Sequence, residues 1–291
     1  MSKFFKGDVT NGVVEFNLLD PAVGAGGTTA TVVTKNTGPN VVEQIVGDIS
    51  SHAYGYGSNG GYTVKGLVIG TSCTSIGSAA FYSIAGSILA GDLVIPDSVT
   101  SIGDHAFAQC AFLTGSLTLP SGLTTLESSV FNSCSLTGTL TLPSGLTTLE
   151  SGVFKSAGFT GTLTIPSGVT TIESYAFGNC NNLTGSLVIP DSVTNIGDYA
   201  FASCASFTSL VIPNSVTTIG SDAFLGCNSL TALYTNTPAA SWVGTDALLS
   251  TTALVNIYYG PNTNDGAGYS ATFQGGSGMT VSAWTNYPNI P

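Results

Sequence analysis

A block of 23 or 24 residues recurs six times between Leu93 and Ala232, and this period constrains the fold more than any other feature of the sequence. An earlier and more divergent copy begins at Leu67. A fixed period of this length is typical of a solenoid, in which each repeat forms one turn of a stack. Since one repeat alone cannot bury its apolar side chains, we expect about seven turns that share a continuous core.

The same short pattern opens every block, for example Leu163, Ile165 and Pro166. The alternation of Leu-x-Ile predicts a strand, which ends at the proline because proline has no N–H to donate to a ladder. After a Ser-Gly or Asp-Ser turn, Val-Thr-x-Ile predicts a second short strand. The Ala-Phe or Val-Phe that follows is long enough for one helical turn only, and we expect a 3₁₀ or α turn there.

Aromatic and sulfur-containing side chains recur at fixed offsets and define the predicted core. These residues are Phe107, Phe131, Phe154, Phe177, Phe201, Phe224, Cys110, Cys134, Cys180, Cys204 and Cys227. Alanine replaces cysteine in one copy, at Ala157. A position that accepts either residue is typical of a small buried apolar site, so we expect reduced thiols and not disulfides.

The run Ile-Pro-Asp-Ser-Val-Thr-Asn-Ile-Gly-Asp-Tyr-Ala-Phe-Ala-Ser-Cys at 189–204 resembles the BspA-type leucine-rich repeat, which is common on bacterial surfaces. The resemblance extends from about Leu67 to Leu233. It implies an α/β, mainly β, right-handed solenoid with strands on its concave face. It also implies that the chain binds proteins or matrix as an adhesin and is not an enzyme.

Composition and pattern divide the chain into four parts. We predict a β-rich attachment or N-cap module at 1–60, the leucine-rich repeats at 61–232, a C-terminal capping repeat at 233–260 and a Gly/Asn/Ser-rich tail at 261–291. Within the capping repeat we expect a short helix over 238–249 and a strand over 254–259. The first eight residues lack the apolar segment of a secretory signal, and no apolar run is long enough to span a membrane.

The charge balance of the chain argues against nucleic acid as a partner. The chain has five lysines, no arginine and sixteen acidic residues, which gives a net charge of −11. Binding to nucleic acid requires a basic surface, and beyond Gly66 the only lysine is Lys155. Neither His52 nor His105 lies in a catalytic motif, so we predict no enzyme activity and no cofactor.

Three sets of residues are the candidate ligand sites. Outward positions on the first strand are Thr118, Thr141 and Thr164. A row of glycines that can form bulges consists of Gly115, Gly138, Gly161 and Gly185, for which control of curvature is the simpler interpretation. Stacked carboxylates that could bind calcium are Glu127, Glu150 and Glu173, although a solvated rim explains them as well. Ice binding by the threonines is a distant alternative, since threonine is also an ordinary outward strand residue.

The sequence therefore predicts a non-enzymatic recognition protein. We place it on a bacteriophage virion, as a capsid decoration or tail-associated adhesin. Its N-terminal module would dock on other virion or surface proteins, and its repeats would bind a host-surface protein or glycan. The alternative is a secreted bacterial surface adhesin, and assembly into a homo-oligomer is a further prediction.

Overall fold

The computed structural model describes strands at 7–10, 13–16, 31–34, 41–46 and 64–69, then residues 71, 73–83, 92–110 and 113–235, and strands at 256–259 and 280–283. The loop at 50–62, His52, the expected helix over 238–249 and most of the predicted tail lie outside the described residues. Within those ranges there is no helix, and therefore none of membrane-spanning length.

Two short strands form in most turns of the stack. The first strands are β5 (Val64–Ile69), β7 (Leu93–Val94), β9 (Leu117–Thr118), β12 (Gly185–Val188), β14 (Phe207–Ile212), β16 (Ala232–Thr235), β17 (Asn256–Tyr259) and β18 (Thr280–Ala283). The second strands are β6 (Ser75–Ile76), β8 (Ser101–Ile102), β10 (Thr148–Leu149), β11 (Thr171–Ile172), β13 (Asn195–Ile196) and β15 (Thr218–Ile219). Equivalent residues pair in parallel, with Leu187 opposite Leu210 and Leu210 opposite Leu233. The predicted mainly-β parallel solenoid of about seven turns is confirmed.

The parallel sheet extends beyond the regular repeats at both ends. Near the N-terminus, β4 (Val41–Val46) pairs in parallel with β5, and β3 (Thr31–Thr34) pairs with β4 in the antiparallel sense. A separate antiparallel pair is formed by β1 (Gly7–Thr10) and β2 (Val13–Phe16). At the other end, β17 coincides with the strand predicted over 254–259. The next strand, β18, lies in the segment predicted as a tail, and its Thr280 pairs with Asn256, 24 residues earlier.

The segment that carries each core phenylalanine is a six-residue turn, not the 3₁₀ or α turn expected from the sequence. These turns span 78–83, 104–109, 128–133, 151–156, 174–179, 198–203 and 221–226, and we call them the turn layer. Each turn holds two residues with positive φ four positions apart, for example Tyr175 at 59° and Asn179 at 63°. A left-handed residue interrupts a right-handed helix. The backbone N–H groups instead donate to the next turn, as Phe177 does to the carbonyl of Ala200 at 2.8 Å.

The phenylalanines of the turn layer form one continuous stack inside the solenoid. Successive rings lie 4.9–5.7 Å apart between centroids and are close to parallel. The stack consists of Phe81, Phe107, Phe131, Phe154, Phe177, Phe201 and Phe224, none more than 1% exposed. Two further buried rings, Phe159 and Phe207, meet it edge-on. Because each ring packs on its neighbours, the apolar core is shared between turns and belongs to no single repeat.

The cysteines do more than fill small apolar sites. All six are buried, and five thiols donate a hydrogen bond to the phenylalanine carbonyl of the preceding turn. For example, the Sγ of Cys180 lies 3.0 Å from the carbonyl oxygen of Phe154. Burial raises the pKa of Cys180 and Cys227 to about 12, and it also raises that of Cys204. These three thiols therefore stay protonated at neutral pH, and the five thiol hydrogen bonds link successive turns.

Candidate binding face

One side of the solenoid is formed by the outward residues of the first strands, and we call it the strand face. Its central file is Val94, Thr118, Thr141, Thr164, Val188, Val211, Tyr234 and Tyr258. Along the strands, residues of this file alternate with core residues. For example, Thr164 is exposed, whereas its neighbours Leu163 and Ile165 are only 4% and 6% exposed. The sequence-predicted residues Thr118, Thr141 and Thr164 therefore all lie on this face.

The strand face carries no charge over most of its length. The neighbouring file, two residues earlier in each strand, is Asp92, Ser116, Thr139, Thr162, Ser186, Ser209, Ala232 and Asn256. After Asp92, neither file contains an ionisable carboxylate, ammonium or imidazole group. The charged side chains of the described repeats, such as Glu150, Asp198 and Lys155, lie beyond the first strand of their repeat. The electrostatics of this face therefore favour an uncharged partner.

The hydroxyl groups on the strand face differ from those of the other threonine files. In the second-strand file, Thr170, Thr194 and Thr217 donate to the carbonyl of the threonine one turn earlier, at 3.1–3.3 Å. The hydroxyls of Thr118, Thr141 and Thr164, in contrast, make no hydrogen bond to any described group. They remain available to a ligand, whereas the hydroxyls of Thr170, Thr194 and Thr217 already stabilise the stack.

The backbone ladder of the strand face is interrupted where the threonines lie. The sheet that contains β9 ends there, and regular pairing resumes only at β12, apart from single bridges such as Thr164 with Val188. No backbone hydrogen bond joins residues 117–119 to residues 139–142 in the described structure. Main-chain N–H and C=O groups are consequently left without partners at this point of the face.

An open cavity of about 410 Å³ occupies this interruption. Its walls come from two successive repeats and include Thr118, Leu119, Thr141, Pro143 and Ser144. Small-molecule sites commonly have volumes of roughly 300–1,000 Å³ and combine apolar walls with a few polar groups. The volume of this cavity lies within that range, but the cavity is a half-open depression of the surface and not an enclosed pocket. It also makes the surface uneven, which does not favour the ice-binding alternative.

The C-terminal part of the strand face is aromatic and apolar. Tyr234 and Tyr258 stack with ring centroids 4.8 Å apart, and burial followed by the proximity of Tyr258 raises the pKa of Tyr234. Val211 is only 3% exposed because it lies between Val188 and Tyr234, whereas Val188 is 39% exposed. The face therefore changes from hydroxyl groups to apolar and aromatic groups along its length.

Comparison with protein families agrees with this geometry. The model of the BspA-type leucine-rich repeat region matches residues 59–184 and 148–271, with six copies. The chain belongs to the BspA-type leucine-rich repeat family. No curated protein sequence matches this BspA-type chain.

Several solved structures are similar to this BspA-type protein. A leucine-rich repeat protein of T. pallidum is 25% identical, with 69% of this chain and 87% of that chain covered and a TM-score of 0.48. A leucine-rich repeat protein of Eubacterium ventriosum is 19% identical, with 80% and 77% covered and a TM-score of 0.42. A leucine-rich cell surface protein of Faecalibacterium prausnitzii is 21% identical, with 91% and 97% covered and a TM-score of 0.38. With these TM-scores below 0.5, the assignment to the BspA-type family rests on the family match.

The predicted glycine row of the BspA-type repeats lies beside the strand face. Gly138, Gly161 and Gly185 have φ values of 78–79°, and the strand register shifts at Gly185. The carbonyls of Gly115, Gly138 and Gly161 accept hydrogen bonds from threonine N–H groups one turn later, at 2.8–2.9 Å. These bonds support a structural role in which the glycines adjust the path of the chain. A role of this row in ligand binding stays a prediction.

The predicted glutamate row lies after the second strands of the BspA-type repeats, away from the strand face. Partial burial, then Glu173 and Glu127 in that order, raises the pKa of Glu150, so the three carboxylates interact electrostatically. Within the described ranges, no three His, Cys, Asp or Glu side chains are grouped as a metal site requires. Calcium binding by this row therefore stays a prediction that has no geometric support.

The turn layer of the BspA-type repeats carries a surface cluster that the sequence did not predict. The ammonium group of Lys155 lies 4.2 Å from the ring centroid of Tyr175, which stacks on Tyr199 at 4.8 Å. A hydrogen bond to Asp222, together with its negative charge, raises the pKa of Tyr199. The sequence contains one signal for this cluster, since the two tyrosines occupy the same offset in adjacent repeats. Elsewhere in the layer, His105 Nδ1 lies 2.9 Å from Asp104 Oδ2, and both side chains are exposed.

Proposed function

We propose that this BspA-type chain is a non-enzymatic recognition protein that holds a partner on its strand face. The observation that carries the proposal is an uncharged face whose threonine hydroxyls are not used within the protein, although the hydroxyls of Thr170, Thr194 and Thr217 in the second-strand file donate to the preceding turn. A periodic and rigid surface of this kind suits binding by shape and hydrogen bonds.

The chemistry of the strand face supports binding over catalysis. Activation of a hydroxyl nucleophile requires an adjacent base. The cavity walls consist of leucine, proline, serine and threonine side chains only, with no carboxylate or imidazole among them. The carboxylate of Asp97 accepts a hydrogen bond from the hydroxyl of Ser121, one of the wall residues, at 3.1 Å. Among the described residues, no carboxylate or imidazole is hydrogen-bonded to the hydroxyls of Thr118, Thr141 or Ser144, so these can donate and accept hydrogen bonds but are not activated as nucleophiles.

The place of display has two candidates. Membership of the BspA-type family supports a bacterial surface, and display on a bacteriophage virion as a capsid decoration or tail adhesin is the other proposal. In either case we assign attachment to the N-terminal module and recognition to the repeats. Immunogold labelling of purified virions and of intact cells distinguishes the two locations, because label is expected on only one of them.

The recognition role is tested by placing charges on one face at a time. We expect Thr118→Lys with Thr164→Lys to reduce binding of the labelled protein to intact cells of the bacterium that carries the gene, and to a cultured epithelial monolayer, by about tenfold or more. Thr124→Lys with Thr147→Lys is the matched control, because these exposed threonines belong to the second-strand file. Equal binding by both double variants, or no binding by the unchanged protein, contradicts the proposal.

A further inference from the structure

We propose that the strand face binds a neutral, linear polysaccharide that lies along the solenoid axis, with the cavity between the turns of Thr118 and Thr141 holding one sugar unit. This inference rests on the proposed recognition function and names the partner. It commits to a glycan, and a protein partner is one of the outcomes of the test below.

Charge is the first argument for a neutral glycan. The protein has a net charge of −11, and the central file from Val94 to Tyr258 has no lysine or other cation. Sulfated or uronic-acid polymers would therefore be repelled by the molecule and would find no counter-charge on this face. The surface of a typical protein partner carries charged groups. Docking on the strand face would remove these groups from water without giving them a partner of opposite charge, which costs free energy. An uncharged polymer avoids both penalties.

Hydrogen bonding is the second argument. A sugar hydroxyl both donates and accepts, as a threonine hydroxyl does, so the two groups are matched. The hydroxyls of Thr118, Thr141, Thr164 and Ser144 make no hydrogen bond to any described group. The interrupted ladder between residues 117–119 and 139–142 adds main-chain N–H and C=O groups at the cavity wall. A ligand rich in hydroxyls satisfies these groups.

The geometry of the face is the third argument. Equivalent residues of successive turns are about 4.8 Å apart, so the six steps from Thr118 to Tyr258 span roughly 29 Å. A linear polymer whose units repeat on this length scale presents a similar group to each turn. At the far end, the stacked and partly exposed rings of Tyr234 and Tyr258 can pack against the apolar C–H faces of sugar rings. Hydroxyls and aromatic rings therefore recur along one line.

Affinity gel electrophoresis of the full chain tests the inference with linear mannan, mixed-linkage β-glucan and galactomannan in the gel, and with heparin and polygalacturonate as charged comparators. We expect retardation by at least one neutral polymer and by neither charged polymer. Thr141→Val, which keeps the shape but removes the hydroxyl, should weaken this retardation about fivefold. Thr124→Val is the matched control and should leave it unchanged. Retardation by no neutral polymer, or an equal effect of both variants, overturns the inference.

A second readout separates this inference from the proposed function. Cells that bind the labelled protein are treated beforehand either with periodate, which oxidises vicinal sugar diols, or with a protease. If periodate treatment abolishes binding and protease treatment does not, the result supports a glycan partner. Loss after protease alone overturns the glycan inference and leaves the recognition function in place. If strand-face and control variants lose binding equally in untreated cells, the proposed function itself fails.

Discussion

The turn layer and the strand face are built from the same repeats, but only the turn layer is continuous. From residue 79 to residue 226, every turn is joined to the next by three backbone hydrogen bonds of 2.5–3.0 Å and by stacked phenylalanines. The backbone ladder of the first strands is interrupted between β9 and β12, and that of the second strands is interrupted between β8 and β10. The difference shows that the turn layer and the interior hold the stack together, which leaves the strand face free to serve as a surface.

The largest expected effect is that of removing one ring from the stack. Phe154→Ala should lower the free energy of unfolding by about 3–5 kcal/mol, because a fully buried ring that contacts Phe131, Phe177 and Phe159 is lost. Urea denaturation followed by circular dichroism measures the change. Thr141→Ala on the strand face is the control and should shift stability by no more than about 0.5 kcal/mol. Similar losses for the two variants would contradict the division of roles.

Alkaline pH should destabilise the protein through the thiol ladder. An unfolded cysteine has a pKa of about 8.5, whereas burial raises that of Cys180 and Cys227 to about 12 and also raises that of Cys204. The stabilisation from the protonated thiols is therefore fully present below pH 8.5 and is lost as the pH rises towards 12. Each of these thiols should contribute a loss on the order of 1 kcal/mol per pH unit as the pH rises above the unfolded pKa.

Urea midpoints between pH 8 and pH 11 measure this dependence. A triple variant with Cys180→Ala, Cys204→Ala and Cys227→Ala should show a shallower decline, because its interior has three fewer thiols to ionise. Identical slopes for the variant and the unchanged protein would show that other groups cause the decline. Tyr199 and Tyr234, whose pKa values are also raised, are present in both proteins, so the difference between the two slopes isolates the three interior thiols.

A glycine substitution beside the strand face should have a moderate effect. Gly161→Ala should cost about 1–2 kcal/mol, because φ is 78° and the added Cβ would lie 3.1 Å from Cγ2 of Thr139. Gly122→Ala is the matched control, since Gly122 has no positive φ and no atom within 4 Å of its added Cβ. The control should be neutral or more stable by up to about 1 kcal/mol. Thermal melts of both variants provide the measurement, and equal destabilisation would count against the bulge.

The smallest expected effect comes from completing the thiol ladder. Ala157 occupies the cysteine offset, so the carbonyl of Phe131 receives no thiol hydrogen bond. Ala157→Cys should raise the free energy of unfolding by about 0.5–1 kcal/mol. Cys180→Ala is the reverse experiment and should change stability with the opposite sign. If Ala157→Cys brings no gain in stability, the hydrogen-bonding role of the thiols is contradicted, and a loss in Cys180→Ala alone then reflects lost packing.

The solenoid itself could be predicted from the sequence, because residues such as Leu163 and Phe177 recur at offsets that only a parallel stack can satisfy. The turn geometry could not, since tyrosines such as Tyr175 and Tyr199 occupy left-handed positions where glycine would have been the expected signal. The thiol donors were also missed, because the acceptor carbonyl belongs to the preceding turn. The strand β18 was missed for another reason, because it lies in a segment whose Gly/Asn/Ser-rich composition is typical of a tail.

The candidate site was predicted only in outline. The alternation around Thr118, Thr141 and Thr164 placed these residues outward, and the structure has them there. The interruption of the ladder could not be predicted, because the repeats on its two sides look the same as repeats that pair. Some threonine hydroxyls donate to the preceding turn and others do not. This distinction depends on hydrogen-bond geometry and leaves no mark in residue type.

The cavity lies between the two most similar segments of the chain. Residues 117–131 and 140–154 have the same sequence except for Ser129 and Gly152. Loss or gain of one whole copy at this point would keep every ring of the stack next to an equivalent ring, because the two segments present the same core residues. Each added copy would lengthen the hydroxyl-lined cleft by one step. The length of the strand face would then depend on the number of copies, with no new side chain required.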